Sequence, residues 1–465
     1  MDSGGGGSEL QGGAVAHADG PAFVDAFAGC GGLSLGLERA GWRGLFAIEK
    51  DRFAFETLRK NFLEAGSRYP YAWPAWLAQK PWSVEALLDD HLAELRALRG
   101  KVALLAGGPP CQGFSSAGRR RADDPRNAMV ARYLQLVEVI QPSFLLLENV
   151  RGITLDFKAG ASITRPTRGN FAAEIVQQLS ADYEVQTTVL RASEFGVPQS
   201  RPRFVLVGVR KATGIRLAAL EALPRARDVV LGRYGLTSTT TAEEAISDLE
   251  VARNELAACR DSPGFDAIGY REPLTAFQRA MRDGYEGVPS DTRLAKHTPA
   301  VRERFADIIE MCREEGRSTR QLSPAMREQF GLRKIATRVL DPREPAPTVT
   351  SMPDDLLHYR EPRTLTVREN ARLQTFPDWF VFQGKYTTGG HLRRQEVPRF
   401  TQVANAVPPL LAEMLGELLK ACIPTSGEVN STSLFSQPFQ RRVELQQPGL
   451  LGPARPQPSP SLAVS

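Results

Sequence analysis

The residue best placed to act as a nucleophile is Cys111, in the stretch GGPPCQGFSSAG (107–118). An apolar run, VALLAGGPP (102–110), delivers it into a loop that opens Gly-Gly-Pro-Pro. The prolines stiffen that loop and deny it regular pairing, whereas a structural cysteine ordinarily sits inside a helix or strand as a small hydrophobe. A thiol is intrinsically nucleophilic even when only partly ionised. A second run, FLLLE, ends in Glu148 followed by Asn149. A carboxyl at the mouth of a buried strand can have its pKa raised and share a proton with a ring nitrogen; the alternative is a plain strand-end acid. The segment FGVPQSRPRF (195–204) places Arg201 and Arg203 at period two, on one side of an extended run. Both can then enter one cleft, or they are edge charges that discourage aggregation. After Cys111 the chain is small, polar and basic, and Gln112, Ser115, Arg119, Arg120 and Arg121 are candidate contacts to nucleic acid. The alternative for the arginines is a solvated charge run.

Phe27-Ala28-Gly29-Cys30-Gly31-Gly32 follows an apolar run and precedes helical spacing. Glycines there make a tight turn and let the backbone approach a ligand. Glu49 closes the next apolar run, where an acid can accept hydrogen bonds from ribose hydroxyls. Phe27 can pack on an adenine face. The spacing is not G-x-G-x-x-G, so a dinucleotide is less favoured than another adenosine-containing cofactor. The alternative is a packing turn with a surface glutamate.

These groups need a scaffold, and the chain supplies a strand–helix alternation. Strands are expected at 22–29, 45–51, 102–110, 143–150 and 203–210, with helices at 33–41 and 131–142. That rhythm predicts an α/β fold with a doubly wound, mostly parallel sheet, whose working residues sit at the carboxyl ends of the strands. The expected organisation is a Gly-rich disordered N-terminus (1–20), a catalytic domain (21–210), a separate irregular domain (211–361), a return to the catalytic domain (362–422) and a flexible Pro-, Ser- and Gln-rich tail (423–465). Helices are expected again at 366–376 and 408–422.

With 465 residues, 42% hydrophobic and 24% charged, the composition excludes a wholly disordered chain. A net charge of +5, carried more by arginine than by lysine, fits a polyanionic partner without requiring one. The cysteines at 30, 111, 259, 312 and 422 form no C-x-x-C pair and the histidines are scattered, so neither a metal site nor a disulfide framework is expected. His297 and His358 are expected to be structural. There is no signal-peptide pattern and no apolar run of membrane-spanning length, which predicts a cytoplasmic protein.

The motifs together resemble the cytosine-C5 DNA methyltransferase family of bacterial type. FAGCGGLSLGLERAG resembles its first motif, GGPPCQGFS its Pro-Cys-Gln motif, ENV (148–150) its acid motif, GVPQSRPR (196–203) its Gln-x-Arg-x-Arg motif, PRTLTVRENARLQTFPDWF (362–380) its ninth and TQVANAVPP (401–409) its tenth. They stand in family order and frame residues 22–210 and 362–422. The resemblance implies a Rossmann-like fold and S-adenosyl-L-methionine as cofactor, held by Phe27, Gly29, Gly31, Gly32 and Glu49, with Pro109 beside it and Asn405 returning from the far end of the chain. It implies that Cys111 attacks while Glu148, Arg201 and Arg203 serve the cytosine, and that 211–361 is the target-recognition domain. Double-stranded DNA would be the partner of a monomeric bacterial enzyme, with a separately acting restriction endonuclease as a possible companion.

Two positions depart from the family pattern. Lys50 stands where a tryptophan often follows the second-motif glutamate, and KPWSVEAL (80–87) lacks the third-motif aspartate, leaving Ser83 and Val84 to take that place. Two rival readings remain: an RNA (tRNA) cytosine-C5 methyltransferase of the same fold, and a catalytically idle DNA-binding protein. The ANAVPP form and the long recognition segment argue against the first, and intact Cys111, Glu148 and Arg201 against the second.

Overall fold

The computed structural model describes residues 19–110, 128–155, 170–217, 220–389, 392 and 395–424. In chain order these fold as β1 (Ala22–Ala26), α1 (Gly32–Arg39), β2 (Arg43–Ile48), α2 (Arg52–Phe62), α3 (Val84–Asp90), α4 (Leu92–Ala97), β3 (Leu104–Gly107), α5 (Ala128–Ile140), β4 (Phe144–Val150), α6 (Phe171–Leu179), β5 (Tyr183–Arg191), β6 (Gln199–Ser200) and β7 (Pro202–Arg210). Then come α7 (Leu223–Tyr234), α8 (Ala242–Ile246), β8 (Leu256–Ala258), β9 (Asp266–Ile268), α9 (Ala276–Arg282), α10 (Pro299–Glu314), α11 (Pro324–Gln329), β10 (Arg338–Val339), β11 (Ala346–Pro347), β12 (Leu356–Leu357), α12 (Val367–Leu373), α13 (Arg399–Asn405) and α14 (Pro409–Lys420).

The main sheet has six strands in the order β2-β1-β3-β4-β7-β5. The pairs β1–β2, β1–β3 and β3–β4 are parallel, while β7 runs antiparallel to both β4 and β5. The expected strands are all present; the reversal at β7 follows from the short link between β5 and β7, too short for the crossover helix that parallel pairing needs. The strand order turns between β1 and β3. Loops leaving those two strands diverge there and open the crevice where such sheets bind ligands.

Alternate residues of each strand feed opposite faces. Phe23, Leu104, Ala106, Phe144, Leu146, Val205 and Val207 pack with α1, α7 and α14. Val24, Ala26, Leu105, Leu145, Leu147, Phe204 and Leu206 pack with α3, α5 and α6. Strands buried on both faces read as continuous apolar runs for this reason. α14 lies tightly on α1: a Cβ added at Gly36 would stand 2.4 Å from Ala412 Cβ, and one at Gly416 2.8 Å from Ala40 Cβ. Trp42 Nε1 donates to the Gly416 carbonyl at 2.9 Å, so α14 is bolted to the turn that follows α1.

The segment 211–361 divides between two cores. Leu223, Ala226, Val230, Ala245, Ile246, Phe277 and Met281 join the core under α1 and α14. Phe305, Ile308, Ile309, Cys312, Leu322, Met326, Val339 and Leu357 form a smaller cluster of their own. Among the described residues no helix is long and apolar enough to cross a membrane.

Candidate active site

The first loop of the site leaves β1. Phe27 and Gly29 both adopt positive φ, 59° and 57°. Gly29 N–H donates to Glu49 Oε2 at 2.9 Å, and Asp51 N–H donates to Glu49 Oε1 at 2.7 Å. Each carboxylate oxygen keeps acceptor capacity beyond these bonds. Burial pushes the Glu49 carboxyl up, against the pull of the two backbone N–H groups. The three glycines differ in what they exclude. A Cβ at Gly31 would lie 2.6 Å from the Phe62 ring, and one at Gly32 2.4 Å from the Val407 carbonyl; one at Gly29 would meet nothing within 4 Å. Gly31 and Gly32 are therefore demanded by packing, whereas Gly29 faces open space beside Glu49. Open backbone next to a strand-end acid fits an adenosine-bearing cofactor.

Ser83 accepts from Ala86 N–H at 3.1 Å and caps α3, and Val84 is buried. The Trp82 N–H donates to the Glu49 carbonyl at 2.9 Å, which sets this segment against the acid. Asn405, at the end of α13, is exposed, while Ala404 and Ala406 on either side are buried.

The second loop leaves β3. Pro109 is buried and its carbonyl accepts from Asn149 Nδ2 at 3.0 Å. A Cβ at Gly108 would lie 3.6 Å from Glu148 Oε2, so the chain passes directly over that carboxylate on its way to Cys111. Cys111, Gln112, Ser115, Arg119, Arg120 and Arg121 lie outside the described residues. Glu148 sits near the end of β4 and its Oε1 is 2.7 Å from Arg203 Nε, both side chains under a tenth exposed. Burial raises the Glu148 carboxyl, with Arg203 and then Arg201 pulling it back. Arg201 donates to the Ala404 carbonyl at 2.7 Å and contacts the Val349 carbonyl at 3.5 Å. The two arginines thus divide their work: Arg203 pairs directly with the acid, and Arg201 bears on it through its charge while gripping α13. β7 pairs antiparallel with β4, which sets Arg203 opposite Val150 and next to Glu148.

Comparison with known proteins settles the family. Residues 22–421 match the C-5 cytosine-specific DNA methylase family. The chain belongs to that family. It is 30% identical over 441 residues to the Type II methyltransferase M.DdeI of Desulfomicrobium norvegicum, covering 91% of this chain and 94% of the relative. It is 31% identical to the Type II methyltransferase M1.HphI of Haemophilus parahaemolyticus, covering 85% of each. A crystal structure of a candidate DNA modification methyltransferase encoded within an E. coli prophage shares the fold, with a TM-score of 0.60 at 24% identity over 86% of this chain and 98% of the other.

Three of the described cysteines of this methylase, Cys30, Cys259 and Cys312, are buried and carry raised thiols. Cys30 is buried within the cofactor loop, its thiol pushed up to about 12 by burial and placed 3.7 Å from the Gln402 carbonyl. Burial likewise raises Cys259, and raises Cys312 to about 11. Thiols shifted this way are inert at neutral pH. His297 and His358 both make hydrogen bonds within the fold. His358 is buried and its Nδ1 accepts from the N–H groups of Arg360 and Glu361 at 3.1 and 3.0 Å. His297 Nε2 lies 3.3 Å from Thr364 Oγ1.

Several buried polar residues of this methylase are not evident from composition or spacing. Gln199 and Gln374 are fully buried amides joined at 2.9 Å. Arg372, also fully buried, holds Asp378 at 2.6 Å and Asp248 at 3.1 Å, tying α12 to the residues after α8. Asp25 on β1 is buried, accepts from Ser34 Oγ at 2.6 Å and is pushed up to about 7, chiefly by burial. Asp25 alone stands inside an apolar stretch; Gln199, Arg372 and Gln374 have polar neighbours in sequence, which assigns them to the surface as readily as to a buried network.

Proposed function

We propose that this methylase transfers a methyl group from S-adenosylmethionine to carbon-5 of cytosine within a specific duplex DNA sequence, through a covalent adduct on Cys111. The observation carrying this reading is the buried carboxyl of Glu148, kept prone to protonation and lying directly beneath the loop that leads to Cys111. Gly29, Glu49 and Phe27, with Asn405 beside them, would hold the cofactor, which when bound supplies an electrophilic methyl group.

Cytosine carbon-5 is a weak nucleophile. Cys111 adds its sulfur to carbon-6, and the electron pair displaced from the ring double bond makes carbon-5 reactive. Protonated Glu148 donates toward ring nitrogen-3 and neutralises the charge that collects there. Arg203 fixes the carboxyl's orientation. After carbon-5 has been methylated, a base removes its remaining proton and the sulfur leaves, which restores the double bond. A duplex hides both reacting carbons, so the cytosine must be extruded into the pocket. Residues 211–361 would then read the flanking pairs, and the arginines at 119–121 would contact phosphates.

The test uses the full chain with duplex DNA carrying 5-fluorocytosine, whose carbon-5 has no proton to lose. A denaturation-resistant protein–DNA adduct is expected, absent from Cys111→Ser. Labelled methyl should enter duplex DNA and not tRNA. Absence of both adduct and methyl transfer, with cofactor bound, sinks the reading.

A further inference from the structure

A short stretch of main chain, 402–407, lies between the two halves of the site and is gripped from both sides. On the cofactor side, Cys30 Sγ lies 3.7 Å from the Gln402 carbonyl, and Gly32 is so close that a Cβ there would stand 2.4 Å from the Val407 carbonyl and 3.3 Å from Ala406 Cβ. On the base side, Arg201 donates to the Ala404 carbonyl at 2.7 Å. Between them, the Gln374 amide donates to the carbonyls of Val403 at 2.8 Å and Ala406 at 3.4 Å. Asn405, the one exposed residue of that inner stretch, is carried between these anchored peptides.

Gln374 is itself held. Gln199 Nε2 donates to Gln374 Oε1 at 2.9 Å and to the Leu373 carbonyl at 3.2 Å, and Gln199 Oε1 accepts from Val349 N–H at 2.9 Å. Arg201, two residues beyond Gln199, contacts the carbonyl of the same Val349. The next residue, Thr375, is fully buried and adopts a positive φ of 65°, a strained conformation for a β-branched side chain. Its Oγ1 accepts from Leu410 N–H at 3.0 Å, in the first turn of α14. Strain at a buried position persists only when the surroundings over-determine it, so this corner is rigid.

We propose that Gln374 is a positioning residue that couples the two halves of the site: through 403–406 it sets the cofactor loop and Asn405, and through Gln199 and Val349 it sets Arg201 against Glu148. The proposal rests on the reading of the cofactor and base pockets given above. Gln374 itself touches neither reactant. A displacement of 403–406 on one side is transmitted as a shift of hydrogen-bonded main chain on the other, so filling the cofactor pocket alters the setting of Arg201. Linkage makes the effect reciprocal for binding.

S-adenosylhomocysteine serves as the probe, with binding read by calorimetry. Wild-type binding is measured first; if it is absent, the cofactor reading has failed and not this inference. Gln374→Met keeps the bulk and removes the hydrogen bonds. It is expected to weaken S-adenosylhomocysteine about tenfold, within the usual span of site-to-site coupling, and to move the alkaline limb of kcat set by Glu148 to higher pH, because Arg201 no longer holds that carboxyl down. Gln374→Glu, which keeps the acceptor for Gln199 but not the donor to 403–406, should weaken binding without moving the limb as far. Unchanged binding and an unchanged limb in Gln374→Met overturn the proposal. Should neither variant fold, hydrogen exchange on the wild-type chain decides: S-adenosylhomocysteine should slow exchange at the Val349 amide, beyond Gln199, and protection confined to residues 27–32 and 402–407 overturns it.

Discussion

Arg203 Nε and Glu148 Oε1 stand 2.7 Å apart on adjacent antiparallel strands, both side chains almost wholly buried. The pair explains how an acid can be kept prone to protonation yet fixed in direction. Burial favours the neutral carboxyl, and the guanidinium limits how far that goes while denying the carboxyl a free rotor.

Breaking that pair from the cationic side should be severe. Arg203→Ala leaves a buried acid without its direct partner, a change that typically costs about 3–5 kcal/mol. Urea unfolding of the variant beside the wild type measures it. Glu148→Gln keeps an acceptor for Arg203, so it should lose less stability than Arg203→Ala, and it should lose about 10²–10⁴-fold in methyl transfer, the usual worth of one proton donor; near-normal turnover in that variant would remove Glu148 from the chemistry.

Cofactor contact and packing should separate within one glycine turn. Gly29→Ala meets no neighbour and suffers only the positive-φ penalty of about 1–2 kcal/mol, but its methyl fills the space beside Glu49, so S-adenosylhomocysteine affinity should drop with a modest change in Tm. Gly32→Ala drives a methyl into the Val407 carbonyl, and should lower stability by about 1–3 kcal/mol or more. Calorimetric titration and thermal unfolding of both variants test the contrast, which fails if Gly29→Ala binds as wild type.

Asp25 should make stability fall with rising pH. Its folded carboxyl is raised from 3.8 to about 7, so between those values the folded state holds a proton that the unfolded chain has released. The unfolding free energy then decreases as pH rises through that window, by up to about 1.4 kcal/mol per pH unit for one proton. Below about 4 the contribution is complete, and above about 7 it is gone. Asp25→Asn should flatten the slope of urea-derived stability between pH 4 and 7; an unaltered slope contradicts the assignment.

The join between α12 and the residues after α8 depends on Arg372. Removing it leaves buried Asp248 without a cation and buried Asp378 with Arg282 alone. Arg372→Met should destabilise the chain by about 3–5 kcal/mol, and Arg372→Lys should recover only part, because an ammonium cannot reproduce the planar fork. Denaturant midpoints at one pH for all three chains provide the comparison.

What the sequence determined by itself was local and periodic. Apolar runs of strand length, most of them ended by glycine or by an acid, located β1, β2, β3, β4 and β7 to within a few residues, because a strand buried on both faces must be apolar throughout. The motif residues at the tips of those strands followed, since an open α/β sheet leaves only that end free for a ligand. Tertiary structure alone decided three things. It reversed β7, because the direction of a strand depends on its partner and its link and not on its side chains. It assigned Glu148 to Arg203 and gave Arg201 to Ala404, because two arginines at period two look alike until their neighbours from residues 349 and 404 are in place. It also buried Gln199, Gln374, Arg372 and Asp25, polar groups whose partners lie far along the chain. Sequence periodicity records which face a residue occupies, but the pairing of buried polar groups is a property of distances that exist only after the chain has closed on itself.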